Sequence, residues 1–323
     1  MKRLTALAAA LGLVACAHTP AAAQHQPTAS AERLMADVIT LSSDAMQGRG
    51  VGEPGGQVAR DYIIAGFEAA GVEPLNGDWL LPFTTPASAR NPTAIEGVNV
   101  AAAIPGTERP DQWIVVTAHY DHVGVRNGQI YNGADDNASG TAALLELARM
   151  LRDHPPRHSV LLLALDGEEA GLLGARAFVA NSPIPLENMV VNINLDMIAR
   201  GDNGILWVVG TRQYPAIRPV VDALPHQPGI ERRYGFDDPA APRSESWVNA
   251  SDQAAFHARG VPFVFFSVEE HGDYHQPTDD ADLIDADWYR GAVQTSWDAL
   301  HAIDHLDQPD FRPASASATG SKR

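Results

Sequence analysis

The chain has 323 residues, 45% of them hydrophobic, which is enough for one large domain with a buried core. Its net charge of -17 argues against nucleic acid as a partner, because a phosphate backbone is repelled by an acidic surface. The single cysteine, Cys16, excludes an intramolecular disulfide.

The N-terminus has the pattern of an export signal. A short basic start is followed by an apolar stretch, Leu4 to Ala15, that is too short to span a bilayer as a mature helix. The stretch ends in LVAC, which resembles a bacterial lipobox with Cys16 as the lipid-attachment residue. The alternative is a plain secretory signal cleaved near Ala23. We expect an exported protein, either a periplasmic or outer-membrane lipoprotein held to the membrane only through Cys16, or a secreted one.

Composition divides the rest of the chain. After the signal at 1–16, residues 17–30 are rich in Ala, Pro, Gln and Thr and predict a flexible tether. One catalytic domain is expected over 31–306. The Pro/Ser/Ala-rich residues 307–323 predict a disordered tail.

Within the domain, helical and strand patterns alternate. Helical spacing covers Ala31 to Leu41, Gly56 to Ala70, Ser139 to Leu151, Ala170 to Ala180 and Trp288 to Ile303. Short apolar runs predict buried strands at Trp113 to Thr117, Val160 to Leu165, Met189 to Leu195, Leu206 to Val209 and Phe263 to Ser267. Residues 72–97 look irregular or edge-like. The alternation predicts an α/β fold, with a mostly parallel central sheet and helices on both faces.

Five potential metal ligands lie close behind apolar runs, and four of them follow predicted strands. Sites in open α/β sheets form at the carboxyl ends of strands, so these side chains are expected to meet. Two imidazoles and three carboxylates can hold two divalent ions, with one carboxylate shared between them. A two-metal centre of this kind activates water and polarises a carbonyl, which predicts metal-assisted hydrolysis. The five residues are His119, Asp135, Glu169, Asp196 and His275.

Local sequence suggests a role for the neighbours of these ligands. In GADDNASG, a helix cap explains Asp136 or Asn137, so we assign the shared carboxylate to Asp135. One of Glu168 and Glu169 binds metal while the other transfers protons. Asp121 lies two residues after His119, on the same side of an extended segment, where it could orient that imidazole or sit beneath the catalytic glutamate.

The blocks TAHYDH, GADDNASG, DGEEAGLLGA, NLDMI and YHQPTDD, taken in order, resemble the M28 metallopeptidase family of di-zinc aminopeptidases. The resemblance covers roughly residues 30–305. It implies two zinc ions bridged by Asp135, with His119 and Asp196 completing one site and Glu169 and His275 the other. It also implies a cis peptide bond between Asp135 and Asp136.

The same resemblance implies that Glu168 is the general base, Asp121 its supporting carboxylate and Tyr274 a donor to the oxyanion. Relatives often have Ser-Asp-His where this chain has Ser251-Asp252-Gln253, which leaves the shape of the substrate pocket open.

The leading hypothesis is an exopeptidase that removes N-terminal residues from peptides. Carboxypeptidase or dipeptidase activity, and glutaminyl cyclase activity on the same scaffold, are alternatives. A lipid-anchored binding protein with a dead catalytic domain is disfavoured, because every expected ligand and the base are retained. An acidic site would attract a substrate ammonium and repel a carboxylate. The residues expected to form it are Asp121, Glu168, Asp252, Glu269 and Glu270.

Overall fold

The computed structural model describes residues 27–238, 240–242, 245–307 and 309–313. Cys16, the predicted signal, most of the predicted tether and residues 314–323 of the predicted tail therefore lie outside the described residues. Within the described part of the chain, no helix has the length and apolar character needed to span a bilayer.

The described residues form a central sheet and a separate two-stranded hairpin. The strands of the main sheet are β1 (Glu73–Pro74), β2 (Leu80–Thr85), β3 (Ile95–Ile104), β4 (Arg109–His119), β7 (His158–Leu165), β8 (Met189–Leu195), β9 (Ile205–Val209), β10 (Glu231–Tyr234) and β11 (Phe263–Ser267). Their order in the sheet is β1-β3-β7-β4-β8-β11-β9-β10, and β2 also pairs with β3. The hairpin is β5 (Gly124–Arg126) and β6 (Gln129–Tyr131).

The middle of the sheet is parallel and its flanks are mixed. Strands β7, β4, β8 and β11 run parallel to one another. Strand β3 is antiparallel to β7, and β9 is antiparallel to β11. The expected mostly parallel α/β sheet is confirmed, with antiparallel strands at its edges.

Helices cover both faces of the sheet. They are α1 (Ala31–Leu41), α2 (Pro54–Ala70), α3 (Gly140–Asp153), α4 (Leu173–Ala180), α5 (Arg218–Asp222), α6 (Gln253–His257) and α7 (Ala286–Asp304). Strand β7 is buried along its whole length, and its alternate side chains enter two separate cores. One core also contains buried side chains of α1, α2, α3 and α7, and the other contains those of α4 and α6. This two-sided burial explains the unbroken apolar sequence of β7.

One local prediction was wrong, and one mostly buried strand was missed. The helix expected from Ala170 begins only at Leu173, because the preceding residues form a tight turn in which the backbone N–H groups of Gly171 and Leu172 bond to the Glu168 carbonyl. Strand β3 was not predicted, although GVNVAAAI within it is mostly buried. Its alanines have weak strand propensity, and pairing with β7 overrides that preference.

Arg49 joins the N-terminal segment to the loops above the sheet. Its side chain is fully buried and donates hydrogen bonds to four backbone carbonyls. The acceptors are Tyr120 (2.7 Å), Leu41 (2.7 Å), Asn132 (2.6 Å) and Gly133 (2.8 Å). Burial lowers the pKa of Arg49 to about 10, while the nearby carboxylates, Asp136 foremost, favour the charged form.

Removing this guanidinium should destabilise the fold. Arg49→Met keeps most of the side-chain length but removes a donor from four carbonyls, of which Gly133 also accepts from the Ala138 N–H. We therefore expect a loss of about 3 kcal/mol or more in the free energy of unfolding. Arg233→Met is the control, because Arg233 is 46% exposed and pairs with the exposed Glu231. Urea unfolding measures both, and a change within about 0.5 kcal/mol for Arg49→Met would contradict this role.

Candidate metal centre

The sheet order brings the sequence-predicted ligands together. His119 is the last residue of β4, and Asp196 directly follows β8. Glu169 lies in the turn after β7, and His275 lies in the loop after β11. Because β7, β4, β8 and β11 are neighbours and parallel, their carboxyl ends share one edge of the sheet.

The first group of side chains consists of His119, Asp136 and Asp196. The Nε2 atom of His119 lies 3.3 Å from Oδ1 of Asp136 and 3.2 Å from Oδ1 of Asp196. The Nδ1 atom of His119 is 3.0 Å from the Asp121 carbonyl oxygen. A proton on Nδ1 that is donated to this carbonyl leaves Nε2 as a lone-pair donor facing the two carboxylates.

The second group consists of His122, Asp136, Glu169 and His275. His275 Nε2 lies 3.0 Å from both Asp136 Oδ2 and Glu169 Oε1. His122 Nδ1 lies 2.9 Å from Glu169 Oε1 and 3.6 Å from Asp136 Oδ2. His122 was not predicted, although it follows His119 by three residues in the same strand-end loop.

Asp136 is the residue that joins the groups, since Oδ1 faces His119 and Oδ2 faces His275. The assignment of the shared carboxylate to Asp135 is therefore corrected. Asp135 points away, with Oδ1 accepting from the Ala199 N–H at 2.7 Å and Oδ2 lying 3.2 Å from His271 Nε2. The cis peptide bond is likewise between Asp136 and Asn137, not between Asp135 and Asp136.

A second buried carboxylate holds this loop in place. Asp279 accepts hydrogen bonds from the backbone N–H of Asp135 at 3.1 Å and of Asp136 at 3.1 Å. The backbone carbonyl of Asp279 accepts a hydrogen bond from the backbone N–H of Ala134. The YHQPTDD segment thus supplies both a candidate ligand, His275, and the anchor for the shared carboxylate.

Asp121 supports the two adjacent glutamates. Its carboxylate is fully buried and accepts from the N–H of Glu168 at 3.0 Å and of Glu169 at 3.3 Å. Its Oδ1 also lies 3.7 Å from His119 Nδ1. Sequence placed the glutamates at a helix N-terminus, but they lie in the turn before α4, so Asp121 and not a helix end satisfies their N–H groups.

Charge in the site is unevenly distributed. Burial raises the pKa of Glu168 well above its usual value, with His119 opposing and Asp196 and Asp252 adding to the rise. Burial likewise raises the pKa of Asp252 to about 7. Both Asp252 carboxylate oxygens lack hydrogen-bond partners among the described residues. Against the effect of burial, the His122, His119 and His275 imidazoles hold the pKa of Asp136 well below its usual range.

A cavity of about 850 Å³ opens beside the second group. Glu168, Glu169, Tyr274 and His275 form part of its wall. The Tyr274 ring stacks on His275 with centroids 3.9 Å apart, and burial raises the pKa of the Tyr274 hydroxyl, which keeps it protonated. Glu269 and Glu270, which were expected at the site, are exposed and are not among the described residues that line this cavity.

Part of the chain is similar in sequence to a zinc metalloprotease. A probable zinc metalloprotease of Leptosphaeria maculans is 35% identical over 176 residues, which cover 51% of this chain and 39% of that protein. The chain therefore matches well under half the length of that relative.

Solved structures share the fold over most of the chain. An aminopeptidase from Aneurinibacillus sp. strain AM-1 superposes with a TM-score of 0.69 at 16% identity and covers 89% of this chain and 97% of that one. A glutaminyl cyclase from Bacteroides thetaiotaomicron gives a TM-score of 0.68 at 18% identity over 86% of this chain and 99% of that one. The model of peptidase family M28 matches residues 99–300, which is more than half of the sequence. The chain belongs to peptidase family M28.

Proposed function

We propose that this protein is a two-zinc exopeptidase that hydrolyses N-terminal residues from peptides. The observation that carries the proposal is the pair of ligand groups sharing Asp136, in each of which the candidate donor atoms lie within 4.8 Å of one another. Membership of a peptidase family and the zinc metalloprotease name of a relative support it.

The donor atoms fit zinc. Ligand atoms about 2.0–2.2 Å from a tetrahedral ion lie about 3.3–3.6 Å apart, and the His119 contacts of 3.3 and 3.2 Å are close to the lower end of that range. His122 Nδ1 and Glu169 Oε1 lie 2.9 Å apart but lack the angles of a hydrogen bond, and both ring nitrogens of His122 and Oε1 of Glu169 are buried without a hydrogen-bond partner among the described residues. Buried polar atoms left in this way need a cation or a proton, and mixed imidazole and carboxylate ligands suit zinc.

Bound zinc ions would supply Lewis-acid chemistry, activating water and polarising the scissile carbonyl. Glu168 is the general base in this proposal, and two observations support the role: it lines the cavity, and Asp121 accepts from its backbone N–H. It takes a proton from the attacking water as the C–O bond forms and gives it to the amine as the C–N bond breaks. The protonated Tyr274 hydroxyl donates to the developing oxyanion.

Asp136→Asn and Asp135→Asn form a matched pair for the metal centre. Asp136→Asn removes the shared charge, so we expect zinc content to fall from about two ions per chain to below one. Asp135→Asn should retain the wild-type content, because that side chain faces Ala199 and His271. Elemental analysis after dialysis against buffered free zinc measures both, and equal losses would contradict the assignment of Asp136.

Glu168→Gln and Glu169→Gln separate the base from the ligand. Glu168→Gln should lower kcat by about 10²–10⁴-fold while retaining zinc, since only proton transfer is lost. Glu169→Gln should lower zinc content, because Oε1 of Glu169 faces both His122 and His275. Near wild-type turnover by Glu168→Gln would refute its role as base.

An exopeptidase of this kind requires a substrate with a free α-amine. This requirement is tested with peptides that differ only at the N-terminus. We expect stepwise release of N-terminal residues from the free peptide and no cleavage of its acetylated form, because acetylation removes the ammonium charge. Mass spectrometry of products identifies the released end.

An N-terminal glutaminyl peptide adds a control for cyclisation. Hydrolysis releases free glutamine, whereas cyclisation releases ammonia and leaves the peptide bonds intact. Release of ammonia alone, cleavage of the acetylated peptide or removal of C-terminal residues would each contradict the aminopeptidase proposal.

A further inference from the structure

The cavity beside the candidate metal centre has a basic wall. Three arginines line it, together with Glu168, Tyr274 and His275. Arg90 comes from the segment between β2 and β3, Arg176 from α4, and Arg259 from just beyond α6. In a chain of net charge -17, three arginines around one cavity are an unusual concentration of positive charge.

The positions of these arginines are set by packed elements. Helices α4 and α6 lie against one another, and their Phe178 and Phe256 rings have centroids 5.9 Å apart. Arg90 donates to the Glu169 carbonyl oxygen at 3.0 Å, so its guanidinium lies against the turn that carries a candidate ligand. Arg90 therefore contacts the turn that carries Glu168 and Glu169, and Arg176 lies on the helix that follows this turn.

None of the three arginines forms an ion pair within the described part of the chain. Arg176 and Arg259 are exposed, and their side chains have no hydrogen-bond partner there. Many other arginines, including Arg152, Arg157, Arg200 and Arg233, do pair with carboxylates. The guanidinium groups on the cavity are thus available to a ligand.

Charges of both signs line the cavity. Glu168 and Glu169 lie at the end nearest the ligand groups, and no other carboxylate lines the cavity among the described residues. A volume of about 850 Å³ is sufficient for a small peptide. A substrate whose reacting end lies beside Glu168 would place the groups beyond that end among the arginines.

We propose that this cleft recognises a carboxylate of the substrate through Arg90, Arg176 and Arg259. The carboxylate is either an acidic side chain or the C-terminal carboxylate of a very short peptide, and guanidinium groups bind both in the same way. The inference rests on the proposed function and names its substrate class. It departs from the sequence-based expectation that a substrate carboxylate is repelled, because that expectation did not include these arginines.

Two substrate pairs test the proposal and distinguish the sources of the carboxylate. Glu-Ala-amide against Gln-Ala-amide changes only the side-chain charge, and Ala-Ala against Ala-Ala-amide changes only the C-terminal charge. For each pair we take the kcat/KM of the peptide with the extra carboxylate divided by that of its neutral partner. This ratio is measured for wild type, Arg90→Gln, Arg176→Gln and Arg259→Gln. Arg152→Gln is the control, because Arg152 lies on α3, is 49% exposed and pairs with Asp153.

We expect one ratio to exceed one in wild type and to fall about threefold to tenfold in at least two cavity variants, as the loss of a partly solvated charged contact predicts. Arg152→Gln should leave it unchanged. A fall in the first ratio identifies an acidic side chain, and a fall in the second identifies a C-terminal carboxylate. Ratios near one in wild type, or equal ratios in all variants, overturn the proposal.

A binding measurement keeps this test independent of catalysis. Calorimetric titration of Glu168→Gln protein with the same four peptides gives the ratio of Kd values within each pair. Adding Arg176→Gln to this variant should reduce the preference for the peptide with the extra carboxylate. If wild type hydrolyses no peptide, the proposed function fails, and the Kd ratios still decide whether the cleft binds a carboxylate. Equal Kd values within both pairs would refute carboxylate recognition.

Discussion

The structure depends on offsetting the negative charge that the fold gathers at one edge of its sheet. Asp121, Asp136, Asp196 and Asp252 are all buried there, and unpaired buried carboxylates are costly. Imidazoles offset part of this charge, most clearly at Asp136, whose pKa is held low by His122, His119 and His275 against the effect of burial. A ligating imidazole is neutral, so two divalent ions bound between the ligand groups would take over this role from the protonated imidazoles and offset the buried carboxylates directly, which is a physical reason for the proposed stoichiometry.

Backbone hydrogen bonds give the site its shape. Arg49 ties the carbonyls of Tyr120 and Gly133 to the N-terminal segment, and Asp279 holds the N–H groups of the loop that carries Asp136. Neither residue is a candidate ligand. Both act on loops that follow the sheet, where the backbone lacks strand partners and needs side chains to complete its hydrogen bonds. The positions of the candidate ligands therefore depend on residues far away in the sequence.

Sequence reasoning succeeded where one pattern dominates and failed where neighbouring residues compete. Most of the predicted buried strands and amphipathic helices were placed within a few residues, because burial on one or two faces fixes their periodicity. The choice between Asp135 and Asp136 failed, since two adjacent carboxylates in a loop point in opposite directions and no periodicity orders them. The helix expected from Ala170 also failed, because the turn at residues 167–172 is stabilised by Asp121, which lies far away in the sequence.

The sequence alone determined the α/β class, the alternation of the main helices and strands, and the blocks that carry the candidate ligands, because these depend on local periodicity and on residue type. Only the tertiary structure decided that Asp136 joins the two groups, that His122 belongs to one of them, and that Arg90, Arg176 and Arg259 line one cavity. Those facts depend on how strands distant in the chain align and how helices pack across the sheet. The side chains that meet in space are separated by long stretches of sequence, so no local pattern records their contact.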